Sequence, residues 1–144
     1  MKISISNIAW ASSPLQNYLR LIKQLGCNGI ELAPSLIWNE PIMSSKEERK
    51  NIKSKIQSFD LEIVGFHALL FTRKDLKLFY SQESRKDTKN YLRRLLELCS
   101  DLGGKQIIFG SPANRKIYNR KYRDCLDQSV EDFYSLAEHA RAIM

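Results

Sequence analysis

Four times along the chain a short run rich in branched and small residues is followed by a turn and then by an amphipathic helical pattern leading to the next run. The runs are Lys2 to Ile8, Gly29 to Ala33, Glu62 to Ala68 and Lys105 to Phe109. Parallel strands cannot be joined by tight hairpins, and a crossover helix is their usual connection, so the alternation predicts an α/β fold with a parallel sheet. Ligands of such sheets sit beyond the carboxyl ends of the strands, on the loops that enter the helices. Four segments fall there: Asn7-Ile8-Ala9-Trp10, Glu31-Leu32-Ala33-Pro34, Gly65-Phe66-His67-Ala68 and Gly110-Ser111-Pro112.

The helices announce themselves by their ends. Ser13 is placed to cap the first, Pro14 suits its first position, and Leu15, Tyr18, Leu19, Ile22 and Leu25 form its apolar stripe before Gly26 ends it. Ser45 and Glu48 have capping-box spacing, opening a helix that turns Ile52, Ile56 and Phe59 inward. A third helix is expected from about Arg85 to Leu102, stopped by Gly103-Gly104, with Leu92, Leu95, Leu96, Cys99 and Leu102 inward. The fourth begins near Arg123 with a stripe of Leu126, Val130, Phe133, Ala137 and Ala140, and carries no stop signal. Four parallel strands leave two unpaired edges, which four further units would close, so residues 1–144 are expected to be one domain, the first half of a barrel.

A chain of 144 residues with 43% apolar and 27% charged residues is ordinary for a globular domain, and no stretch approaches the roughly 20 apolar residues of a membrane helix. With no signal peptide at its start, it is expected to be cytoplasmic. Cys27, Cys99 and Cys125 are odd in number and widely spaced, which reads as reduced structural usage. The net charge of +7 raises nucleic acid and phosphorylated ligands as partners. Most of it lies on helices and reads as a solvated rim, as at Arg85, Lys86, Lys89, Arg93 and Arg94. The loop from Asn114 to Arg123 is different: basic, tyrosine-containing and directly beyond a strand end.

Three segments together resemble the xylose-isomerase-like barrels, the group of sugar isomerases and epimerases that also includes an endonuclease IV branch. They are Gly29-Ile30-Glu31-Leu32-Ala33-Pro34, Gly65-Phe66-His67-Ala68 and Ile107-Ile108-Phe109-Gly110-Ser111-Pro112-Ala113-Asn114-Arg115. The resemblance covers the chain as the first four of eight repeats. It implies a (β/α)8 TIM barrel and a metal-assisted proton or hydride shift on a sugar, sugar phosphate or polyol. It also implies that the divalent metal is held by carboxylates and histidine on strands five to eight. By that reading this chain holds no metal and is inactive alone. The nuclease branch places a metal-binding histidine at the end of strand four, where this chain has Phe109-Gly110-Ser111, so a nucleic-acid substrate is not expected. The alternative is a non-catalytic sugar- or phosphate-binding half-barrel, two copies of which pair as a homodimer.

The residues expected to line a sugar site are Trp10, Glu31, Trp38, His67, Ser111 and Arg115. Glu31 can accept from hydroxyls or serve as a salt-bridged structural residue, and either use calls for a partner. His67 can donate to a sugar oxygen or act as a general acid near neutral pH, or it can be a buried, hydrogen-bonded histidine. Trp10 and Trp38 can pack on a sugar face or plug the barrel mouth. Gly110-Ser111-Pro112 with Arg115 can hold a phosphate or carboxylate. His139 is expected to face solvent. Trp10, Glu31, His67 and Ser111 should then share one cavity at the carboxyl ends of adjacent strands.

Overall fold

The computed structural model describes residues 1–10 and 14–144. Its strands are β1 (Ser4–Ser6), β2 (Gly29–Leu32), β3 (Glu62–Phe66) and β4 (Gln106–Ile107), all parallel and in the order β1-β2-β3-β4. Spatial order equal to chain order means that every crossover steps the same way. That is the arrangement of a barrel open along one side; a doubly wound sheet reverses at a switch point. The crossovers use α1 (Leu15–Gln24), α2 (Lys46–Gln57) and α3 (Gln82–Leu102), and α4 (Tyr122–Ile143) follows β4.

Strand register sorts the side chains between two faces. Ile5 pairs with Ile30 and Ile30 with Ile63, while Leu32 pairs with Phe66 and Phe66 with Ile107. These rows join Leu19, Ile22, Ile56, Leu92, Leu95 and Leu98 in one core between sheet and helices. Alternation sends the intervening row, Ser6, Glu31 and Gly65, to the opposite face. No helix of the described residues covers that face. Ser6, Glu31 and Val64 are only half-buried there and Ile108 is exposed.

The capping box forms as expected: Glu48 N–H donates to Ser45 Oγ, and Ser45 N–H donates to the Glu48 carboxylate at 2.7 Å. Gly103 ends α3 at φ 87°, a conformation costly for any residue with a Cβ. Ser13 lies outside the described residues, and Pro14 sits just before α1, one position ahead of the expected one. The third helix starts earlier than its apolar stripe, because Ser81 caps it by accepting from Ser84 N–H at 3.1 Å. The outer strands are shorter than their apolar runs, since each has a neighbour on one side only and the ladder defines the strand.

The fourth helix departs most from expectation. Its buried residues are Cys125, Asp132 and Leu136, and of the expected stripe Phe133 and Ala140 pack against the core whereas Leu126, Val130 and Ala137 are exposed. The α3–α4 contact is organised by charge. The Asp132 carboxylate, 1% exposed, receives Arg85 and Lys89, each at 2.8 Å. Arg93 donates to Ser135 Oγ and Arg94 to the carbonyl of Ile42. Much of the basic face of α3 is therefore structural glue and not a solvated rim. His139 is half-buried and faces Glu97 at 3.4 Å, not open solvent.

The thiol of Cys99 lies in the core against the carbonyl of Gln106, and burial pushes its pKa up to about 12 from 9.0. Above pH 9 an unfolded chain releases this proton while the folded chain keeps it, so folding stability falls as pH rises. Wild-type protein should lose stability between about pH 9 and pH 11 with a slope up to about 1.4 kcal/mol per pH unit steeper than Cys99→Ala. Urea melts across that range measure the difference, and equal slopes would contradict a buried thiol.

Candidate functional site

The polar side chains of the open face meet at the carboxyl ends of β1, β2 and β3. Ser6 is the last residue of β1 and pairs in register with Glu31 of β2, which pairs with Gly65 of β3. His67, just past β3, is anchored by its backbone N–H donating to the carbonyl of Leu32 at 3.0 Å. Its ring reaches across β2 to Ser6, where Nε2 and Oγ hydrogen-bond. Ile8 N–H donates to the same Oγ at 3.1 Å, so the Ser6 hydroxyl proton is free to point at Nε2. In that arrangement the neutral ring carries its proton on Nδ1 and keeps one donor for a ligand.

Glu31 lies on the strand between Ser6 and His67. Contrary to the expectation of a partner, it makes no ion pair or side-chain hydrogen bond among the described residues. It is half-buried, so water solvates its carboxylate without one. Ser6 was not singled out from the sequence. The signal that finds it is positional: it faces the same way as Glu31 only once the β1–β2 register is known.

Two residues at neighbouring strand ends have left-handed backbone without being glycine: Ala68 after β3, at φ 51°, and Ser111 after β4, at φ 35°. Such conformations persist where surrounding structure holds them, and they concentrate at ligand sites. Between these two turns, Asn114 ties their loops together. It is 4% exposed, and its Nδ2 donates to the carbonyls of Arg73 at 2.8 Å and Leu76 at 2.6 Å, while Leu78 N–H donates to its own carbonyl at 3.0 Å. One side chain thus welds the β3–α3 loop to the β4–α4 loop. Arg115, next in the chain, is exposed.

The two tryptophans sit elsewhere. Trp10 packs on Tyr18 with ring centroids 5.0 Å apart. Together they line a cleft of about 190 Å³ with Asn7, Leu36, Ile52 and Lys55, between α1 and α2. Neither Glu31, His67 nor Ser111 lines that cleft. Asn7 closes its floor by accepting from Ala33 N–H at 2.7 Å, tying the first strand-end loop to the second. Trp38 packs half-buried against the core. The structure brings Glu31 and His67 together on one face, sets Ser111 and Arg115 on the adjoining loop, and gives both tryptophans packing partners.

A family model describing the xylose isomerase-like TIM barrel matches residues 19–143. The chain belongs to this family. Among solved structures, D-psicose 3-epimerase from Clostridium cellulolyticum H10, solved with D-tagatose, superposes with a TM-score of 0.74 at 16% identity. The match covers 99% of this chain and 50% of that one. The apo 3-keto-D-glucoside 4-epimerase of E. coli gives a TM-score of 0.69 at 19% identity, covering 99% of this chain and 53% of that one. The chain therefore spans about half the length of each. A comparison with curated protein sequences found no match.

The fold is accordingly a partial TIM barrel: four parallel strands alternating with helices in an open sheet. The family is generally metal-dependent. A divalent ion in a sugar-active site needs several oxygen or imidazole ligands together. Among the described residues no group of three His, Cys, Asp or Glu side chains converges. His67 has already committed Nε2 to Ser6. The described side chains do not make up a metal site by themselves. No described helix is long and apolar enough to cross a membrane.

Proposed function

We propose that residues 1–144 form one domain, the first half of a sugar isomerase or epimerase barrel, and supply the substrate-binding wall of its site. The observation that carries this reading is the convergence of Ser6, Glu31 and His67 at the carboxyl ends of three adjacent strands, in a family whose solved likenesses include sugar epimerases. His67 Nδ1–H donates to a sugar oxygen, the Ser6 hydroxyl fixes the ring, and the Glu31 carboxylate accepts from a neighbouring hydroxyl. Trp10 and Trp38 support the mouth from behind, and Ser111 and Arg115 bound it on the β4 side. The proton or hydride shift, with the divalent metal that assists it, belongs to a second half, so this half is inactive alone. The protein works in the cytoplasm on a sugar or sugar phosphate.

The test is incubation with D-fructose, D-tagatose or D-xylose and Mg2+ or Mn2+, following isomer or epimer formation by chromatography. Residues 1–144 alone should give no product. Reading the coding sequence beyond Met144 then decides the assignment. Four further strand–helix units with Glu, Asp and His at their strand ends support it, and their absence sinks the enzyme reading. Turnover by residues 1–144 alone would overturn the division of labour.

A second reading is favoured by the apolar residues left at both open edges. Ile3, Leu21 and Leu25 are exposed on the β1–α1 side, and Ile108, Val130 and Tyr134 on the β4–α4 side. Two copies meeting edge to edge would cover both sets and make a binding barrel without the family's metal site. Sedimentation of the chain decides this: a monomer at micromolar concentration rules it out.

A further inference from the structure

The loop that leaves β4 is strongly basic. From Gly110 to Lys121 there are four basic residues, Arg115, Lys116, Arg120 and Lys121, and no Asp or Glu. The cations of α3 show what a structural role looks like, with Arg85 and Lys89 closed onto the buried Asp132. Arg115 and Lys116 have no carboxylate at salt-bridge distance among the described residues, and both are exposed. Their neighbourhood is nevertheless ordered from below. Asn114 fastens the loop to the one leaving β3, and Lys77 Nζ donates to the carbonyl of Ala113 at 3.3 Å. An anchored loop loses little further freedom when it binds a ligand.

Aromatic side chains complete the patch. Tyr80, from the β3–α3 loop, and Tyr118 meet edge to face with centroids 5.4 Å apart, and both remain exposed. Lys116 Nζ stands 5.5 Å from the Tyr118 ring centre. Tyr118 holds φ at 53°, a conformation that a bulky side chain rarely adopts. The arrangement sets Lys116 beside an aromatic ledge, with Arg115 next to it in the chain, at the same end of the sheet as Ser6, Glu31 and His67.

We propose that the joined loops after β3 and β4 form a subsite for an anionic group carried by the sugar, a phosphate or a carboxylate, with Arg115 and Lys116 as its cations and the Tyr80–Tyr118 pair as its apolar wall. The inference rests on the sugar-binding reading above and deepens it by naming the charge of the substrate. Arg115 supplies a planar, forked donor suited to phosphate or carboxylate oxygens, and Lys116 adds a point charge. The ring face of Tyr118 packs against the carbon skeleton that bears the anion.

The experiment is titration of 15N-labelled chain by NMR with D-fructose 6-phosphate, D-fructose and inorganic phosphate, at about 150 mM salt so that long-range attraction is screened. The phosphorylated sugar should bind at least about tenfold tighter than D-fructose, with shifts at Arg115, Lys116 and Tyr118. The double variant R115A/K116A should lose that gain, binding the two sugars alike. A control, K46A/K50A on exposed positions of α2, should keep both. Equal affinity for the two sugars overturns the inference while leaving the sugar reading in place. So does equal loss in the control, which would make the effect bulk charge. A phosphate gain without D-fructose shifts near His67 upholds the anion subsite and sinks the sugar reading; no binding of any probe overturns both. D-glucuronate against D-glucose separates a carboxylate from a phosphate preference. A single-stranded oligonucleotide that occupies these loops more tightly than the sugar phosphate overturns the assignment.

Discussion

Gly65→Ala should be among the most damaging single-methyl additions in this chain. A Cβ at that position would lie 2.1 Å from the carbonyl oxygen of Gln106, 2.7 Å from its Cγ and 3.0 Å from its carbonyl carbon. The nearest obstacle is backbone, so no rotamer change relieves it. Gly65 pairs with Gln106 in a β3–β4 ladder of only two register pairs, flanked by Lys105 N–H to the Val64 carbonyl at 3.0 Å and Ile108 N–H to the Phe66 carbonyl at 2.8 Å. Moving Gln106 aside strains both hydrogen bonds and pulls β4 from the sheet. Gly104 stands behind, where its own Cβ would lie 3.2 Å from Gly65 Cα. The expected cost is about 3–5 kcal/mol, a large part of the roughly 5–15 kcal/mol that holds a domain together. Denaturant melts measure it against Gly110→Ala, whose Cβ would meet nothing within 4 Å. Gly110 does not have a positive φ, so the control should stay within about 0.5 kcal/mol of wild type. A Gly65→Ala protein as stable as the control would mean that β3 and β4 are not packed this closely.

What could be read from the chain, and what could not, divides by sequence separation. The Ser45–Glu48 capping box spans three residues, and the Gly103 stop follows directly on the helix it ends, so both were legible. The parallel order of strands was legible for a related reason, since it follows from the connecting lengths. The Ser6–His67 pair joins residues 61 apart, Arg85–Asp132 joins residues 47 apart, and Asn114 reaches Leu76 across 38. Each is a polar side chain whose use depends on which strand or helix lies beside it. Glu31 and His67 stood out in the sequence because they occupy strand ends in a recognisable repeat. Ser6 was missed because a serine on a strand carries no chemistry until a neighbour supplies it.

The fourth helix shows the same limit in another form. Its apolar spacing pointed to Leu126, Val130, Phe133, Ala137 and Ala140 as the inner face; Phe133 and Ala140 pack against the core, yet Leu126, Val130 and Ala137 are exposed, and the contact with α3 closes over Asp132. Periodicity identifies an apolar stripe and cannot say which neighbour covers it. α4 follows the last strand of an open four-stranded sheet, and no other described helix packs beyond it to cover Leu126 and Val130.

Asn114→Leu carries the second large effect, and it falls on the loops where the anion subsite is placed. Leucine nearly matches asparagine in shape but cannot donate, so the carbonyls of Arg73 and Leu76 lose the Nδ2 hydrogen bonds they now receive at 2.8 and 2.6 Å. Asn114 is 4% exposed, and water cannot simply replace it. Leaving two such acceptors unpaired should cost about 2–4 kcal/mol by denaturant melt. The loss should be local as well as global. Leu78 N–H, which donates to the Asn114 carbonyl, should exchange its proton faster, while amides of α2, capped by its own Ser45–Glu48 box, fall only with global stability. If the loops need this weld to hold Arg115 and Lys116 beside the Tyr80–Tyr118 pair, the tighter binding of a phosphorylated sugar should also fall toward that of the neutral one at temperatures where the variant remains folded. A destabilised variant that keeps the phosphate gain would show that the cations act without the weld, and would separate the stability role of Asn114 from any part in binding.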